Sequence, residues 1–373
     1  MIYLDNSSTT HKKPPSVKLA TLKGVSNLSV NPSRSGHRLA LQGAEKIYNA
    51  RENISDFLGT TPENVVFTSG CTMAINLALR GTAKKGGHII TSIYEHNSTL
   101  RTLDYLKKTE NIEVTYLTPN KSGLISTKDI CNKIKKNTYL VVINHTSNVT
   151  GITQDIESIG KLCKKKNLLL MIDGAQSIGH IDINMQAQNI NLLTIAGHKG
   201  LYAPEGIGAL LTNNCAVSPI IFGGTGTHSD KESQPIEIPD GLESGTINLP
   251  GILGLDAGVT FVRNNFEKIN NKIEKLSTLL IYELNRIKNV KVYGNIKSGV
   301  VSIAINNKDS SYVSNTLDEK YNICTRSGLH CAPRVHKYLG TIKSGLTRIS
   351  LSYYNSTRDI KKLIDAIKEI ALD

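Results

Sequence analysis

Ile190-Asn191-Leu192-Leu193-Thr194-Ile195 is an apolar run that opens into Ala196-Gly197-His198-Lys199-Gly200. A second run, Leu168-Leu169-Leu170-Met171-Ile172, ends in Asp173. Both are continuously apolar rather than alternating, which suits strands of a parallel sheet covered on both faces. Similar short runs stand at Val65-Val66-Phe67, at His88-Ile89-Ile90 and from Tyr139 to Ile143. Helical patterns lie between them, over Thr72 to Leu79, from near His96, and over Ile156 to Cys163. The alternation predicts an α/β domain with a mostly parallel sheet covered by helices. Ligands of such sheets bind beyond the C-terminal ends of the strands. Ser69-Gly70, Asn144 to Asn148, Asp173 and His198-Lys199 all fall at such ends.

After about residue 255 the pattern changes. Ile269, Ile273, Leu276, Leu280, Leu284 and Ile287 mark one face of a long helix. Gly299 to Ile305 and Ile349 to Ser352 read as strands. A last helix is expected from Ser356, with Asp359 three residues on as a capping box. The expected organisation is a large domain over 15–255, a smaller α+β domain over 256–373, and an N-terminal segment, 1–14, packing on the site.

The 373 residues are 39% hydrophobic and 20% charged, and contain no Trp. No apolar stretch approaches the roughly 20 residues that a membrane helix needs. The N-terminus turns polar at once, so a cytoplasmic protein is expected. The net charge of +13 raises the question of nucleic acid. The lysines are scattered, and short clusters such as Lys164-Lys165-Lys166 suit the outer face of a helix, which argues against that partner. Six cysteines at 71, 131, 163, 215, 324 and 331 include no C-x-x-C pair and no metal-ligand spacing, so no metal is expected.

The strand ends carry the chemistry. A glycine-flanked lysine after a buried strand suits Lys199 as the residue that bonds to the aldehyde of pyridoxal 5′-phosphate (PLP) and later moves protons. Asp173 would keep the pyridine nitrogen charged; capping of the next turn is its bland alternative. Gln176 and Asn148 are placed to reach the 3′-oxygen of the ring. The backbone N–H groups of Cys71 and Thr72, with the Thr72 hydroxyl, form a phosphate site where a helix starts. His96 is placed to stack on the ring or simply to cap a helix. Arg348 suits a substrate carboxylate by paired hydrogen bonds, or a structural ion pair. Cys331 has the polar company of a reactive thiol: Arg326, His330 and Arg334 as positive or potentially positive neighbours, with Gly328 and Pro333 marking a loop.

With these residues in hand, the chain resembles the cysteine desulfurase branch of the class V aminotransferases, on the side that includes SUF-type desulfurases. Leu4 to Thr10, Asn31 to Leu39, the Asp173 and Lys199 segments, Glu243 to Asn248 and Arg326 to Ala332 occur in family order. The Arg-x-Gly-x-His-Cys loop is the specific part. The resemblance implies a PLP fold-type I homodimer, with His198 beside the phosphate and Thr246 donated to it by the other subunit. It implies conversion of L-cysteine to L-alanine, with Arg348, Arg326 and Asn148 on the substrate. Lys199 and His96 serve the chemistry, and sulfur is held as a persulfide on Cys331 until an acceptor protein or small thiol removes it. Another class V reaction (selenocysteine lysis, transamination or β-elimination) stays open, as does a non-catalytic binding protein. One position departs from the family. Relatives usually carry Ser or Thr where this chain has Ala196, and a lost hydrogen bond to a charged group weakens binding by roughly 1.5–3 kcal/mol.

Overall fold

The computed structural model describes residues 1–32, 36–228 and 230–372, so residues 33–35 of the Asn31 to Leu39 motif lie outside the described residues. Strand β1 (Ile2–Tyr3) and helices α1 (Pro15–Ser26) and α2 (Arg38–Leu58) precede the main sheet. The sheet region then runs β2 (Val65–Thr68), α3 (Cys71–Gly81), β3 (His88–Ser92), α4 (Asn97–Thr109), β4 (Glu113–Leu117) and α5 (Thr127–Asn132). It continues through β5 (Thr138–Asn144), α6 (Ile156–Lys165), β6 (Leu169–Asp173), β7 (Leu192–Ala196) and β8 (Gly208–Thr212).

These strands form one seven-stranded sheet in the order β2-β8-β7-β6-β5-β3-β4. The pairs from β7 to β4 are parallel, as continuous apolar runs predict. Leu140 and Val142 of β5 pack toward α3 and α4, while Val141 and Ile143 enter the core shared with α2, α6 and α7 (Leu249–Leu284). Both faces are therefore covered.

Strand β8 corrects the sequence reading, which contains no strand there. It is antiparallel to both β7 and β2. The two reversals cancel, so β2 runs in the same direction as β7 and Ser69-Gly70 emerges on the side of Lys199. Gly208 opens this strand because the chain passes too close for a side chain. A Cβ there would lie 2.6 Å from the Ile195 carbonyl oxygen and 2.8 Å from the Gly70 carbonyl carbon.

Helix α7 starts well before the periodic face noticed in the sequence, and residue 255 lies inside it. Its buried side chains join the large core through Ile273 and a second core from Leu276 onward. The second core belongs to β9 (Val290–Gly294), β10 (Val300–Ile305), α8 (Ser310–Tyr321), β11 (Ile323–Cys324), β12 (Thr347–Ser350) and α10 (Thr357–Leu372), while α9 (Pro333–Leu339) packs on the large core through Val335 and Leu339. Strands β12-β10-β9 form an antiparallel sheet. Helix α10 begins with the expected capping box: Ser356 N–H donates to Asp359 Oδ2 (2.9 Å) and Asp359 N–H to Ser356 Oγ (3.3 Å).

The first residues belong to this second unit as much as to the first. β1 pairs in parallel with β11, and Leu4 is fully buried in the second core. No helix among the described residues is long and apolar enough to cross a membrane.

Candidate active site

A cavity of about 450 Å³ opens beyond the C-terminal ends of β2, β5, β6 and β7, where the N-terminal segment and the 326–348 region close over the sheet. Of the residues singled out in the sequence, Cys71, Thr72, His96, Asn148, Asp173, Gln176, His198, Lys199, Arg326 and Arg348 all line it. Cys331 and Thr246 do not. Cys331 is half-buried on the adjoining turn, and Thr246 is exposed outside the cavity.

The sheet-end half is built by short loops. Lys199 follows β7, and none of the hydrogen bonds among the described residues is donated by its Nζ. Burial lowers the affinity of this amine for its proton; Cys71 and Asp173 oppose the effect, and Arg348 and Arg326 add to it. Asp173, 2% exposed, ends β6. Its Oδ1 accepts the Ala175 N–H (3.0 Å) and lies 3.7 Å from Cys71 Sγ, and Oδ2 accepts from Asn144 Nδ2 (3.4 Å). Burial raises the Cys71 thiol, with the Asp173 carboxylate adding to it. Helix α3 points its N-terminus into the cavity with no side-chain cap, so its first N–H groups and the partial positive charge of the helix end are available to an anion. Gly70, at φ +149°, makes the turn and would meet nothing with an added Cβ.

His96 both caps and lines. Its Nδ1 accepts the Ser98 N–H (3.1 Å) at the start of α4, while the ring faces the cavity. Burial lowers its pKa to about 4, as it does for His198. Both rings are neutral near pH 7. Gln176 donates from Nε2 to the Ser7 carbonyl (3.0 Å), so the N-terminal segment already takes one of its donors.

The other half comes from the second unit. β12 carries Arg348, which is 1% exposed and donates from Nη2 to Asp5 Oδ1 (2.8 Å) and Ser8 Oγ (2.9 Å) and from Nη1 to the Asn148 carbonyl (3.2 Å). Its Nε is buried without a partner. An arginine buried this deeply needs a counter-charge, and Asp5 supplies it. Asp5 and Ser8 are the contributors that residue-by-residue reading missed; their only early signal was the Leu4 to Thr10 motif. Glu95 was missed as well. It is fully buried, accepts from Ser92 Oγ (2.7 Å) and Asn144 N–H (2.9 Å), and burial raises its pKa to about 8.

Cys331 sits in a tight turn with His330, both in the left-handed backbone region at φ +59° and +50°. That conformation costs a non-glycine residue about 1–2 kcal/mol. Hydrogen bonds hold it: Asn148 Nδ2 to the His330 carbonyl, Asn97 N–H to the Cys331 carbonyl (2.7 Å), and the two-way pair between Gly328 and Leu346 (3.1 Å each). Arg326 Nη2 lies 3.6 Å from Cys331 Sγ.

Two expectations about the charge around Cys331 need correction. His330 is buried, with Nε2 3.0 Å from the Leu346 carbonyl oxygen, and burial followed by the nearby Arg348 lowers its pKa to about 2. It is neutral and supplies no positive charge. Arg334 turns away and lays its guanidinium 3.5 Å from the Tyr116 ring centroid. Arg326 is therefore the cation in contact with the thiol.

The donor set fits PLP. A lysine of lowered proton affinity, a buried carboxylate and an uncapped helix start face one cavity, and Asn144 Oδ1, Asn148 Oδ1 and His198 Nδ1 are buried there without partners. Ala196 lines the cavity with no hydroxyl to offer. Among the described residues, no group of three or more His, Cys, Asp or Glu could hold a metal ion.

Comparison with known proteins agrees with this geometry. The chain is 31% identical over 382 residues to a probable cysteine desulfurase of Methanothermobacter thermautotrophicus, spanning 99% of this chain and 94% of that one. It is 31% identical over 383 residues to cysteine desulfurase IscS of Shewanella pealeana, spanning 99% and 92%. The apo cysteine desulfurase of Thermococcus onnurineus NA1 superposes with a TM-score of 0.91 at 30% identity, over 100% of this chain and 94% of that one. The Escherichia coli cysteine desulfurase CsdA does so at 0.87 and 26%, over 99% and 94%. The sequence model of the family described as Aminotransferase class-V matches residues 2–363, and the chain belongs to that family.

Proposed function

We propose that the protein is a PLP-dependent cysteine desulfurase of the cytoplasm, acting as a homodimer that converts L-cysteine to L-alanine. The observation that carries this reading is the half-buried Cys331 thiol, 3.6 Å from Arg326, on the rim of the cavity that holds Lys199 and Asp173. Lys199 would bond to the PLP aldehyde, Asp173 would pair with the pyridine nitrogen, and His96 would stack on the ring. The start of α3 at Cys71 and Thr72, with His198 and with Thr246 from the second subunit, would hold the phosphate. Gln176 and Asn148 would reach the 3′-oxygen. When bound, PLP supplies an electron-accepting ring that allows bonds near the substrate α-carbon to break.

The chain's own groups do the rest. Arg348 holds the substrate carboxylate, assisted by Asn148 and Arg326. Lys199, its proton affinity already lowered by burial, moves a proton at the α-carbon. Cys331 attacks the substrate sulfur as thiolate. A sulfur–sulfur bond forms and the carbon–sulfur bond breaks; its electron pair stays on the substrate carbon, which takes a proton to become the methyl group of alanine. The outer sulfur of the Cys331 persulfide then passes to the thiolate of an acceptor protein or small thiol, releasing Cys331 thiolate without net oxidation.

One assay tests the whole reading. L-cysteine and a reductant are added to wild type and to Cys331→Ala, and alanine and sulfide are quantified. Stoichiometric products from wild type and their collapse in the variant are expected. Full turnover in Cys331→Ala would leave a PLP lyase or aminotransferase instead.

A further inference from the structure

Arg326 and Arg348 face each other across an antiparallel bridge, with Arg348 N–H donating to the Arg326 carbonyl (2.7 Å) and Arg326 N–H to the Arg348 carbonyl (3.2 Å). Like charges at directly opposed strand positions repel, and here one of them is almost wholly buried. Both guanidiniums donate to a single oxygen, Ser8 Oγ, at 3.1 and 2.9 Å. Ser8 passes its own hydrogen to Asp5 Oδ1 (2.8 Å), the same atom that accepts Arg348 Nη2 at 2.8 Å. Asp5 thus touches Arg348 directly and reaches Arg326 through Ser8.

Asp5 is also fixed in the frame of the strand it serves. It bridges in parallel to Ser350, two residues beyond Arg348. Ser350 N–H donates to the Leu4 carbonyl (2.6 Å), and Asn6 Nδ2 donates back to the Ser350 carbonyl (2.9 Å). The backbone that carries the carboxylate is therefore tied to β12 on both sides of Asp5.

We infer that Asp5 is a positioning residue for substrate binding: it pins the Nη2 corner of Arg348 against the repulsion of Arg326 and so holds the guanidinium where it lines the cavity, in place for the carboxylate of the substrate. The inference rests on the reading of Arg348 as the carboxylate-binding arginine. Arg326, Arg348 and Asp5 together carry one net positive charge, which one substrate carboxylate neutralises. Nη1 and Nη2 are held by Asn148, Asp5 and Ser8, and Nε alone is buried without a partner. Substituting the carboxylate removes the counter-charge while the repulsion remains, so the guanidinium leaves the position in which it lines the cavity.

The test compares two ligands that differ only in the carboxylate. PLP-loaded wild type, Asp5→Asn and Ser8→Ala are titrated with L-alanine and with ethylamine, following the absorbance of the bound cofactor. Affinity for L-alanine should fall about tenfold in Asp5→Asn, as expected when a buried charge pair loses one partner. In Ser8→Ala it should fall about threefold, since one neutral acceptor is lost. Ethylamine affinity should stay within about twofold in both, because it has no group for Arg348 to hold. If Asp5→Asn is too unstable to purify, Ser8→Ala decides by the same measurement. Equal losses for both ligands would reduce Asp5 to a structural role. Unchanged L-alanine affinity would overturn the inference, and tighter L-alanine binding would mean that Asp5 competes with the substrate rather than positioning its partner. If wild type itself shows no preference for L-alanine over ethylamine, it is the assignment of Arg348 that fails.

Discussion

The two halves of the cavity are held by different kinds of structure. Lys199, Asp173 and the Ser69 to Thr72 turn sit at the ends of strands buried on both faces, each fixed by its own strand and the turn that follows, the last of them running into α3. Arg348, Arg326 and Cys331 depend on partners far away in sequence. Asp5 is 343 residues from Arg348, and Asn148 is 182 residues from His330. The first half is a rigid edge. The second is an assembled cluster in which charge, backbone strain and chain crossing have to agree, so substitutions in the two halves should fail in different ways.

The largest contrast is between Lys199→Ala and Cys331→Ala. If Lys199 has the covalent and proton-moving role proposed for it, Lys199→Ala should lower alanine formation by roughly 10³-fold or more. Borohydride reduction of wild type followed by peptide mapping should find PLP on Lys199, and an adduct on any other lysine would refute that assignment. Cys331→Ala should keep cofactor affinity within about twofold of wild type while alanine and persulfide formation collapse. After brief exposure of wild type to cysteine, a persulfide should be found on the Cys331 peptide and not on those of Cys71 or Cys324.

Acid sensitivity probes both halves together. Burial lowers the pKa values of His96, His145, His180 and His198 to about 4, and that of His330 to about 2. Below about pH 6.5 the unfolded chain takes up protons that these rings refuse in the fold, so stability is lost as pH falls from about 6.5 toward 4, by up to about 1.4 kcal/mol per pH unit for each ring. Glu95, raised to about 8, acts in the opposite sense, since its stabilising proton is lost as pH rises. Burial also lowers His88 and His336 and raises Glu243 and Asp256, and seven rings against three carboxyls predict a Tm that falls from pH 7 to pH 5. His330→Gln should flatten that slope, and an unchanged profile would mean that His330 takes up a proton in the fold.

A smaller effect belongs to the sheet-end half. Ala196→Ser should tighten PLP binding by about tenfold, because a new hydrogen bond to a charged group is worth at least ~1.4 kcal/mol. Titration of apoprotein with PLP checks it. No gain in either Ala196→Ser or Ala196→Thr would show that the phosphate is already satisfied.

The smallest expected change sharpens the electrostatics of the second half. Arg334→Ala should leave the alkylation rate of Cys331 within about twofold, since that guanidinium stacks on Tyr116 and stands away from the thiol. Arg326→Ala should slow alkylation roughly tenfold by removing the charged contact to sulfur. Equal slowing in both variants would return Arg334 to the thiol's surroundings.

The difference between the halves also governs what could be read from the sequence. A buried strand leaves a local mark of consecutive apolar residues, and the residue after it is delivered to the ligand side of the sheet. Lys199, Asp173, Thr72 and His96 were legible for that reason. Strand β8 was not, because a five-residue run opening with Gly208 carries little periodic signal of its own. Nor was the neutrality of His330, because burial sets its protonation and a loop sequence does not state burial. Arg334 shows the same limit, since a cation near a cysteine in sequence can point elsewhere.

By itself the sequence determined the α/β class, the ligand side of the sheet and the residue types that meet there, because apolar periodicity and strand-end placement act over a few residues. Only the tertiary structure decided that Asp5 and Ser8 hold two opposed arginines, that Arg326 rather than His330 or Arg334 lies against the Cys331 thiol, and that a strained turn fixes the thiol beside the cavity. Those outcomes depend on which surfaces exclude water and which distant segments cross, and burial and long-range charge pairing leave no period in the chain.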